Sequence, residues 1–281
     1  MLKAVGIAVA GAAICTWLTL CLLFWQGSWQ LLYHPTSAVR RTPAKDLGLP
    51  FDPIGFDATP AGTAKLQGWW IPGGTSPRFT VLYLHGANGN VGDSVDQLAP
   101  LHDAQLNILA IDYRGYGQSV FERPTEAHLC EDAKAAIDYL VATRHVPAHS
   151  ILLYGQGLGA NLALEVAAEN AELGGVILDA PMDEPMQAIF DDPRAKLVPA
   201  HLLVRDRWDA EKAAAQVLIP SLWFVRTGAN AQPRPGFEEA YKLLTARKKQ
   251  VWLTESHDTM AQYRLALEAW LDDFPRTQST P

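Results

Sequence analysis

The sequence has 281 residues, of which 48% are apolar, and this is enough to bury one sizeable core in a single α/β domain. Charged residues make up 19% of the chain and its formal net charge is −7, so the chain lacks the basic surface that nucleic-acid binding requires. An acidic chain is not attracted to an anionic membrane face either, so any link to a membrane has to be hydrophobic.

The N-terminal segment from Ala4 to Trp25 contains no charged residue. About 22 residues in a helix span roughly 33 Å, which is enough to cross the hydrocarbon core of a bilayer. Trp29 and Tyr33 follow at one end, where amphipathic rings favour the membrane interface. A cleavable signal peptide is the competing interpretation, but its apolar run is usually shorter and is followed by a small-x-small site, whereas Gln26-Gly27-Ser28-Trp29 is a poor cleavage site. We expect residues 1–28 to form an uncleaved single-pass anchor.

The charges that flank this segment bear on its orientation. Lys3 precedes the apolar run, and Arg40 and Arg41 follow about 15 residues after it, at the edge of the range in which flanking charges count. The small difference favours an N-terminus in the cytoplasm. We therefore expect the rest of the chain to face the periplasm or the extracellular side.

The three cysteines are Cys15, Cys21 and Cys130, and the first two lie inside the apolar N-terminal segment. Outside that segment no disulfide pair is available, and no Cys/His cluster has the spacing of a metal site. We therefore predict neither a metal nor another cofactor.

Residues 29–60 are predicted to form a linker and a first edge strand, because proline and glycine are frequent there and periodicity is weak. We assign residues 61–275 to one α/β domain and residues 276–281 to a disordered tail. Residues 181–215 form the longest insertion and are predicted to make a small lid.

Short apolar runs alternate with segments of helical periodicity through the rest of the chain. The predicted strands are residues 79–85, 107–112, 150–154, 175–178, 221–225 and 250–253. The predicted helices are residues 131–140, 160–173 and 260–274. Near-continuous apolar strands that alternate with helices indicate a mostly parallel sheet covered on both faces.

The strand at residues 150–154 runs into Gly155-Gln156-Gly157-Leu158-Gly159, and a helix follows. A strand, a turn of this glycine spacing and a helix are typical of a nucleophile elbow. The flanking glycines let the strand and helix cross closely, and the central residue projects a nucleophilic side chain from the sheet edge. Here the central residue is Gly157, which has no side chain and cannot attack a carbonyl group.

Further motifs occur in order along the chain. They are Leu82–Asn90 (LYLHGANGN), Asp112–Ser119 (DYRGYGQS), Glu131–Ala133 (EDA), Leu203–Asp209 (LVRDRWD) and Ile219–Leu222 (IPSL). Together with the elbow, this ordered set resembles the α/β-hydrolase superfamily, most closely its serine-aminopeptidase-like, bud-emergence-type branch. The resemblance extends from Tyr33 to the C-terminal helix. It implies an α/β-hydrolase fold with an eight-stranded, mostly parallel sheet.

The resemblance also implies where a catalytic triad would lie. The nucleophile position falls on Gly157 and the acid position on Ala229, so both are vacant. The histidine position falls on His257, which is retained. The backbone N–H groups of Ala87 and Leu158 fall at the oxyanion-hole positions, and backbone donors survive the loss of side chains.

Two acidic residues are alternative candidates for the triad acid. Some hydrolases of this fold carry the acid after the preceding strand, where Asp179 and Asp183 lie in this sequence. Asp179 also stands where relatives carry a structural residue. Asp112 and Arg114 are predicted to bond neighbouring loops.

Two functions follow from this pattern. The vacant positions predict a catalytically impaired hydrolase-fold protein that binds a small acyl ligand or a protein partner at the membrane, for instance as an accessory subunit. The alternative is an active hydrolase of acyl esters or amides with a non-standard site, for which His257 and either Asp179 or Asp183 are the candidate residues.

Overall fold

A computed structural model describes residues 1–59, 62, 65–227, 235–254 and 259–274. In this part of the chain, eight strands form one sheet, which confirms the predicted fold class. The strands are β1 (Asp52–Asp57), β2 (Lys65–Ile71), β3 (Thr80–Leu84), β4 (Asn107–Asp112), β5 (Ile151–Gln156), β6 (Gly175–Asp179), β7 (Ser221–Thr227) and β8 (Lys248–Thr254). Their order across the sheet is β8-β7-β6-β5-β3-β4-β2-β1. Strand β2 is antiparallel to β1 and β4, and the other pairs are parallel.

Helices cover both faces of the sheet. They are α2 (Val95–Asp103), α3 (Glu126–Ala142), α4 (Leu158–Glu169), α5 (Gln187–Phe190), α6 (Ala200–Leu203), α7 (Ala210–Ala214), α8 (Pro235–Leu243) and α9 (Thr259–Asp272). One hydrophobic cluster contains Ala133 of α3 and Leu162 of α4, and a second contains Leu98 of α2 and Leu267 of α9. The central strands are buried on both sides, which accounts for their continuous apolar runs.

Helices α3 and α4 have different limits from those predicted. Helix α3 begins at Glu126 rather than at residue 131, because the Thr125 hydroxyl accepts a hydrogen bond from the backbone N–H of His128 and caps the first turn. Helix α4 ends at Glu169 rather than at residue 173. There the Asn170 side chain donates to the carbonyl oxygen of Val166, at 2.6 Å, and satisfies a terminal backbone acceptor.

The sheet register brings the carboxyl ends of four strands to one edge. Leu84 pairs with Gly155, Gln156 pairs with Asp179, and Asp179 pairs with Phe224. In open α/β sheets, ligands bind beyond this edge of the strands. The segment that follows β5 therefore lies where a site is expected.

Helix α1 (Leu2–Gly27) contains the apolar N-terminal segment and continues into a short 3-10 turn at Ser28–Leu31. By length and composition it is suited to cross a membrane, although a signal sequence near an N-terminus meets the same criterion. Most of its side chains are exposed, and its buried apolar side chains, Cys21 and Phe24, lie near its C-terminal end.

The chain packs against the domain directly after α1. Tyr33 is fully buried, and its hydroxyl donates to Oδ2 of Asp206 at 2.5 Å and accepts from Nε1 of Trp208 at 3.1 Å. His34–Pro35 then pairs in parallel with Asn88–Gly89. The predicted tail at residues 276–281 lies outside the described residues.

The predicted insertion at residues 181–215 consists largely of short helical turns. Its beginning is held by the Asn161 side chain of α4, which donates to the carbonyl oxygen of Met182 at 2.8 Å and accepts from the N–H of Met182 at 2.9 Å. The 3-10 turn at Pro193–Leu197 and helix α6 both contact α1. The insertion therefore lies between the elbow helix and the N-terminal helix.

Candidate functional site

The turn between β5 and α4 has the backbone of a nucleophile elbow. Gly157 has φ +56° and ψ −123°, and α4 begins at the next residue. A Cβ atom at Gly155 would lie 2.0 Å from the carbonyl oxygen of Gly159, and one at Gly159 would lie 2.2 Å from that of Leu84. Both flanking positions are therefore restricted to glycine by the close crossing of strand and helix, as the sequence predicted.

The central position of the elbow has room for a side chain. A Cβ atom at Gly157 would meet nothing closer than the Cα atom of Gly86, at 3.9 Å. The backbone N–H of Gly157 donates to the carbonyl oxygen of Asp179 at 2.9 Å, which fixes the turn against β6. The elbow is therefore complete in its backbone and lacks only the atoms that would react.

Two backbone N–H groups flank this position. Leu158 is the first residue of α4, where N–H groups have no intrahelical acceptor and the helix dipole is positive, and Gly157 supplies no side-chain cap. Ala87 follows Gly86, the residue whose Cα atom lies nearest the open space at Gly157. Donors in such positions can stabilise an oxyanion.

The orientation of the Ala87 N–H is set by His85. Nδ1 of His85 lies 2.8 Å from the carbonyl oxygen of Gly86, and because a carbonyl oxygen can only accept, Nδ1 carries the proton. This bond fixes the peptide plane that contains the Ala87 N–H. Burial lowers the pKa of His85 to about 4, so the ring is neutral at neutral pH and acts as a fixed donor.

The same loop is held by two buried tyrosines. The Tyr116 hydroxyl donates to the carbonyl oxygen of Ala87 at 2.9 Å, and the Tyr113 hydroxyl donates to that of His85 at 3.0 Å. Burial raises the pKa of both hydroxyls, so both remain donors. The candidate oxyanion-hole loop is therefore held by two buried side chains in addition to His85.

Asp179 is fully buried at the end of β6, and both of its oxygens have partners. Oδ1 lies 2.9 Å from Nε of Arg226, and Oδ2 lies 2.7 Å from Nη2 of the same guanidinium. Oδ2 also accepts from the Tyr154 hydroxyl at 2.9 Å. This carboxylate raises the pKa of the Arg226 guanidinium, chiefly through the hydrogen bonds between them. Sequence reasoning named Asp179 but missed Arg226, whose only local signal is a cation at the end of an apolar strand.

Other predicted residues have assignable surroundings. Oδ1 of Asp183 is buried, and no described residue bonds to it. Asp112 accepts from the N–H of Val91 at 2.7 Å, as predicted for a residue that bonds a neighbouring loop. Arg114 bonds chiefly to helix α3, where its Nε donates to Oδ1 of Asp132 at 2.6 Å. His257 and Ala229 lie outside the described residues.

Two other nucleophilic side chains in the domain have hydrogen-bond partners. The Ser119 hydroxyl donates to the carbonyl oxygen of Asp112 at 2.6 Å. The Cys130 thiol donates to Oε2 of Glu165 at 3.4 Å, and burial raises its pKa, which disfavours the reactive thiolate. Over the residues that the structure describes, no group of three His, Cys, Asp or Glu side chains is arranged to hold a metal ion.

Comparison with known sequences gives relatives over most of the chain. YfhR of Salmonella typhimurium is 27% identical over 241 residues, which cover 79% of this chain and 78% of that protein. The Rv2307c protein of Mycobacterium tuberculosis is 32% identical over 154 residues, which cover 53% of this chain and 52% of that protein.

Solved structures share the fold. An esterase of Pyrococcus furiosus matches with a TM-score of 0.68 and 18% identity over 86% of this chain and 98% of that one. An α/β hydrolase of Vibrio vulnificus matches with a TM-score of 0.60 and 22% identity over 79% of each chain. The family model described as serine aminopeptidase, S33, matches residues 75–263, which contain the elbow, the candidate oxyanion-hole loop and the insertion. The chain therefore belongs to the S33 serine aminopeptidase family of α/β hydrolases.

Proposed function

We propose that this chain is a membrane-anchored α/β-hydrolase-fold protein that no longer turns over substrate by the serine mechanism and serves a binding or accessory role. One observation carries the proposal. Gly157 occupies a complete elbow, with positive φ and open space above it, yet supplies no oxygen or sulfur atom. An acyl-enzyme needs such an atom, because it is the group that bonds to the acyl carbon.

The size of this loss is large. Removing the nucleophile of a serine hydrolase lowers kcat by about 10⁶, which corresponds to about 8 kcal/mol of transition-state stabilisation. Oriented backbone donors such as the N–H groups of Ala87 and Leu158 recover only a small part, roughly 10³–10⁴ over water together with binding. These donors can still bind a carbonyl or carboxylate oxygen, which supports a small acyl ligand at this edge of the sheet.

The acid position points to the same conclusion. The resemblance places it on Ala229, which has no carboxylate. The candidate replacement, Asp179, is held in an ion pair by Arg226 and bonded by Tyr154, so its two oxygens already have a structural role. A histidine at position 257 would therefore lack the partner that orients it in a triad.

The membrane part of the proposal rests on helix α1. It has the length and composition of a membrane-spanning helix, and the 3-10 turn after it packs into the domain. We propose that residues beyond about Tyr33 lie in the periplasm or outside the cell, because Lys3 lies at the N-terminal end of α1, before its apolar run. The membrane is the expected partner of α1, and the acidic chain is not expected to bind nucleic acid.

A second candidate function is hydrolysis of acyl esters or amides at a non-standard site. The hydrogen-bonded loop at His85 and Ala87 favours it, because preorganised donors usually make the largest single contribution to catalysis at such a site. The buried Oδ1 of Asp183, to which no described residue bonds, is a further acidic group near this edge. In this function His257 would be the base, with Asp179 or Asp183 as its acid.

Ester hydrolysis by full-length protein in detergent micelles distinguishes the two functions. We expect the wild type to neither hydrolyse short p-nitrophenyl esters above a matched blank nor react with a fluorophosphonate probe. Gly157→Ser should gain probe labelling, and Gly157→Ser combined with Ala229→Asp should label faster. Gly157→Ala is the matched control, since it adds the Cβ atom and the backbone strain without a nucleophile.

Robust turnover by the wild type, abolished by His257→Ala, would show that the chain is an active hydrolase. If turnover also disappears in Asp183→Asn but not in Glu184→Gln, the acid is Asp183. Equal labelling of Gly157→Ser and Gly157→Ala would show that the elbow does not present its central side chain to solvent.

A further inference from the structure

Helix α1 touches the insertion well before its C-terminal end. Nε1 of Trp17 donates to the carbonyl oxygen of Leu197 at 3.1 Å. Trp17 lies ten residues before Gly27, the last residue of α1, and ten residues of helix correspond to about 15 Å along its axis. The turn that carries Leu197 therefore lies beside the helix, not beyond its end.

The contact continues towards the domain. Leu23 and Phe24 of α1, together with Leu197 and Val198 of the insertion, line an apolar cavity of about 190 Å³. Helix α6 contacts α1 as well. The insertion and the last three turns of α1 thus form one continuous contact.

The outer side of this contact carries two exposed leucines. Leu197 has 61% and Leu202 has 83% of its surface exposed. Lys196 lies in the same segment and is exposed too, and a long cationic side chain of this kind can reach lipid headgroups while its stem stays in apolar surroundings. Arg194 is exposed as well, but its guanidinium is paired with Asp192 at 2.8 Å. The backbone of the segment is mostly folded into helical turns, as a lipid environment requires.

We propose that the segment Pro193–Leu203 inserts into the membrane leaflet beside α1 and buries Leu197 and Leu202 among the lipids. The inference rests on the proposed anchoring of α1. A bilayer that surrounds α1 at the level of Trp17 must also surround the segment bonded to that residue. In hydrocarbon the indole N–H has no water to bond, and the carbonyl oxygen of Leu197 is its acceptor. The carboxyl edge of the sheet, where the elbow lies, is thereby held close to the membrane surface.

Site-specific fluorescence on the full-length protein in phosphatidylcholine–phosphatidylglycerol liposomes tests the inference. In a background with Cys15, Cys21 and Cys130 replaced by serine, Leu197→Cys and Leu202→Cys each carry an NBD fluorophore. We expect a blue-shifted emission, strong quenching by a nitroxide on the lipid chains and several-fold weaker quenching by aqueous iodide. Because both side chains are exposed, neither label disturbs the core.

Leu218 provides a matched control, since it is also an exposed leucine, at 68%, and precedes the amino end of β7. A label at Leu218→Cys should be quenched by iodide and not by the lipid nitroxide. Labels at Leu197 and Leu202 that behave like the one at Leu218 would overturn the inference.

Ile14, which is 59% exposed in the middle of α1, separates this result from a failure of the anchor itself. If a label at Ile14→Cys is quenched by the lipid nitroxide while those at Leu197 and Leu202 are not, α1 spans the membrane and the insertion stays in water. If the Ile14 label is quenched by iodide, the proposed anchoring is wrong, and the inference that depends on it is wrong as well.

Discussion

Arg226 holds both oxygens of Asp179, with nitrogen–oxygen distances of 2.9 and 2.7 Å. The carboxylate is fully buried, whereas the guanidinium is partly exposed at the sheet edge. The two residues lie 47 positions apart in the sequence and meet because β6 and β7 are neighbours. The buried carboxylate next to the elbow is therefore paired with a cation from the neighbouring strand.

Replacing Arg226 by Met should lower the free energy of unfolding by about 3 kcal/mol, because a buried carboxylate loses its cation. Adding Asp179→Asn should restore part of this loss, since the uncompensated charge is then removed. Arg264→Met is the control, because Arg264 pairs with Asp103 at the exposed surface and should contribute only about 0–1 kcal/mol. Urea unfolding of the wild type, the two single variants and the double variant measures these differences. Equal decreases in the free energy of unfolding for Arg226→Met and Arg264→Met would contradict the prediction.

Two glycines of the elbow, Gly155 and Gly157, should differ in their tolerance of alanine. Gly155→Ala should cost at least about 3 kcal/mol or prevent folding, because the new methyl group meets backbone at 2.0 Å that cannot move aside. Gly157→Ala should cost only about 1–2 kcal/mol, the strain of a positive φ in a non-glycine residue. Thermal unfolding compares them, and a Gly157 variant as damaged as the Gly155 variant would show that the space above the elbow is filled.

Tyr33→Phe should lower the free energy of unfolding by about 1–3 kcal/mol. The change leaves the buried indole N–H of Trp208 without its acceptor and removes a donor from Asp206. Tyr139→Phe is a suitable comparison, because the Tyr139 hydroxyl accepts a single bond from a partly exposed Arg144 and should matter less. Similar losses in the two variants would argue against a special role for the buried network.

Glu165 should make the stability of the protein depend on pH. Burial, and then the nearby carboxylate of Glu126, raise the pKa of the Glu165 carboxyl from 4.5 to about 8. Cys130 lowers this pKa by donating a hydrogen bond, and Asp209 raises it. Between these two pKa values the folded state keeps a proton that the unfolded state has released, so the free energy of unfolding falls as pH rises through this window.

Glu165→Gln should remove this dependence, because the amide does not ionise. We expect the variant to be more stable than the wild type at about pH 9 and to have no such advantage at about pH 5. Glu169→Gln, at an exposed position of the same helix, should follow the wild type at both pH values. Parallel pH profiles for Glu165→Gln and the wild type would show that Glu165 is ionised throughout.

Local patterns predicted the central strands and the elbow well. Strand β5 is a continuous apolar run, and the glycines after it have a steric reason that the sequence alone states. Strand β2 was not predicted, because Gly68 interrupts it and the adjacent Trp69 and Trp70 break the alternation of apolar and polar residues. Its glycine is explained only by the neighbouring strand, since a Cβ atom there would lie 2.4 Å from the carbonyl oxygen of Ala110. Helix α2 was missed for a similar reason, because Pro100 lies inside it.

The parts of the site that depend on distant residues were beyond local patterns. The bond between Trp17 and Leu197 joins positions 180 residues apart. The hydrogen bond from His85 to the carbonyl oxygen of Gly86 is local in sequence. It is relevant to a site only because the elbow folds next to this loop, and the elbow lies about 70 residues later in the chain. Motif spacing predicts which elements meet, and only the assembled sheet shows which polar groups satisfy one another.

The packing of the chain just after α1 has a consequence for proteolytic release. Ser28, Leu32 and Tyr33 are almost completely buried, and the turn between them is folded against the domain. A protease needs several residues of extended, accessible backbone, so this stretch can be cut in the folded protein only after it unfolds locally. Cleavage between α1 and the folded domain therefore requires this stretch to open first, so its rate is limited by the stability of the local packing.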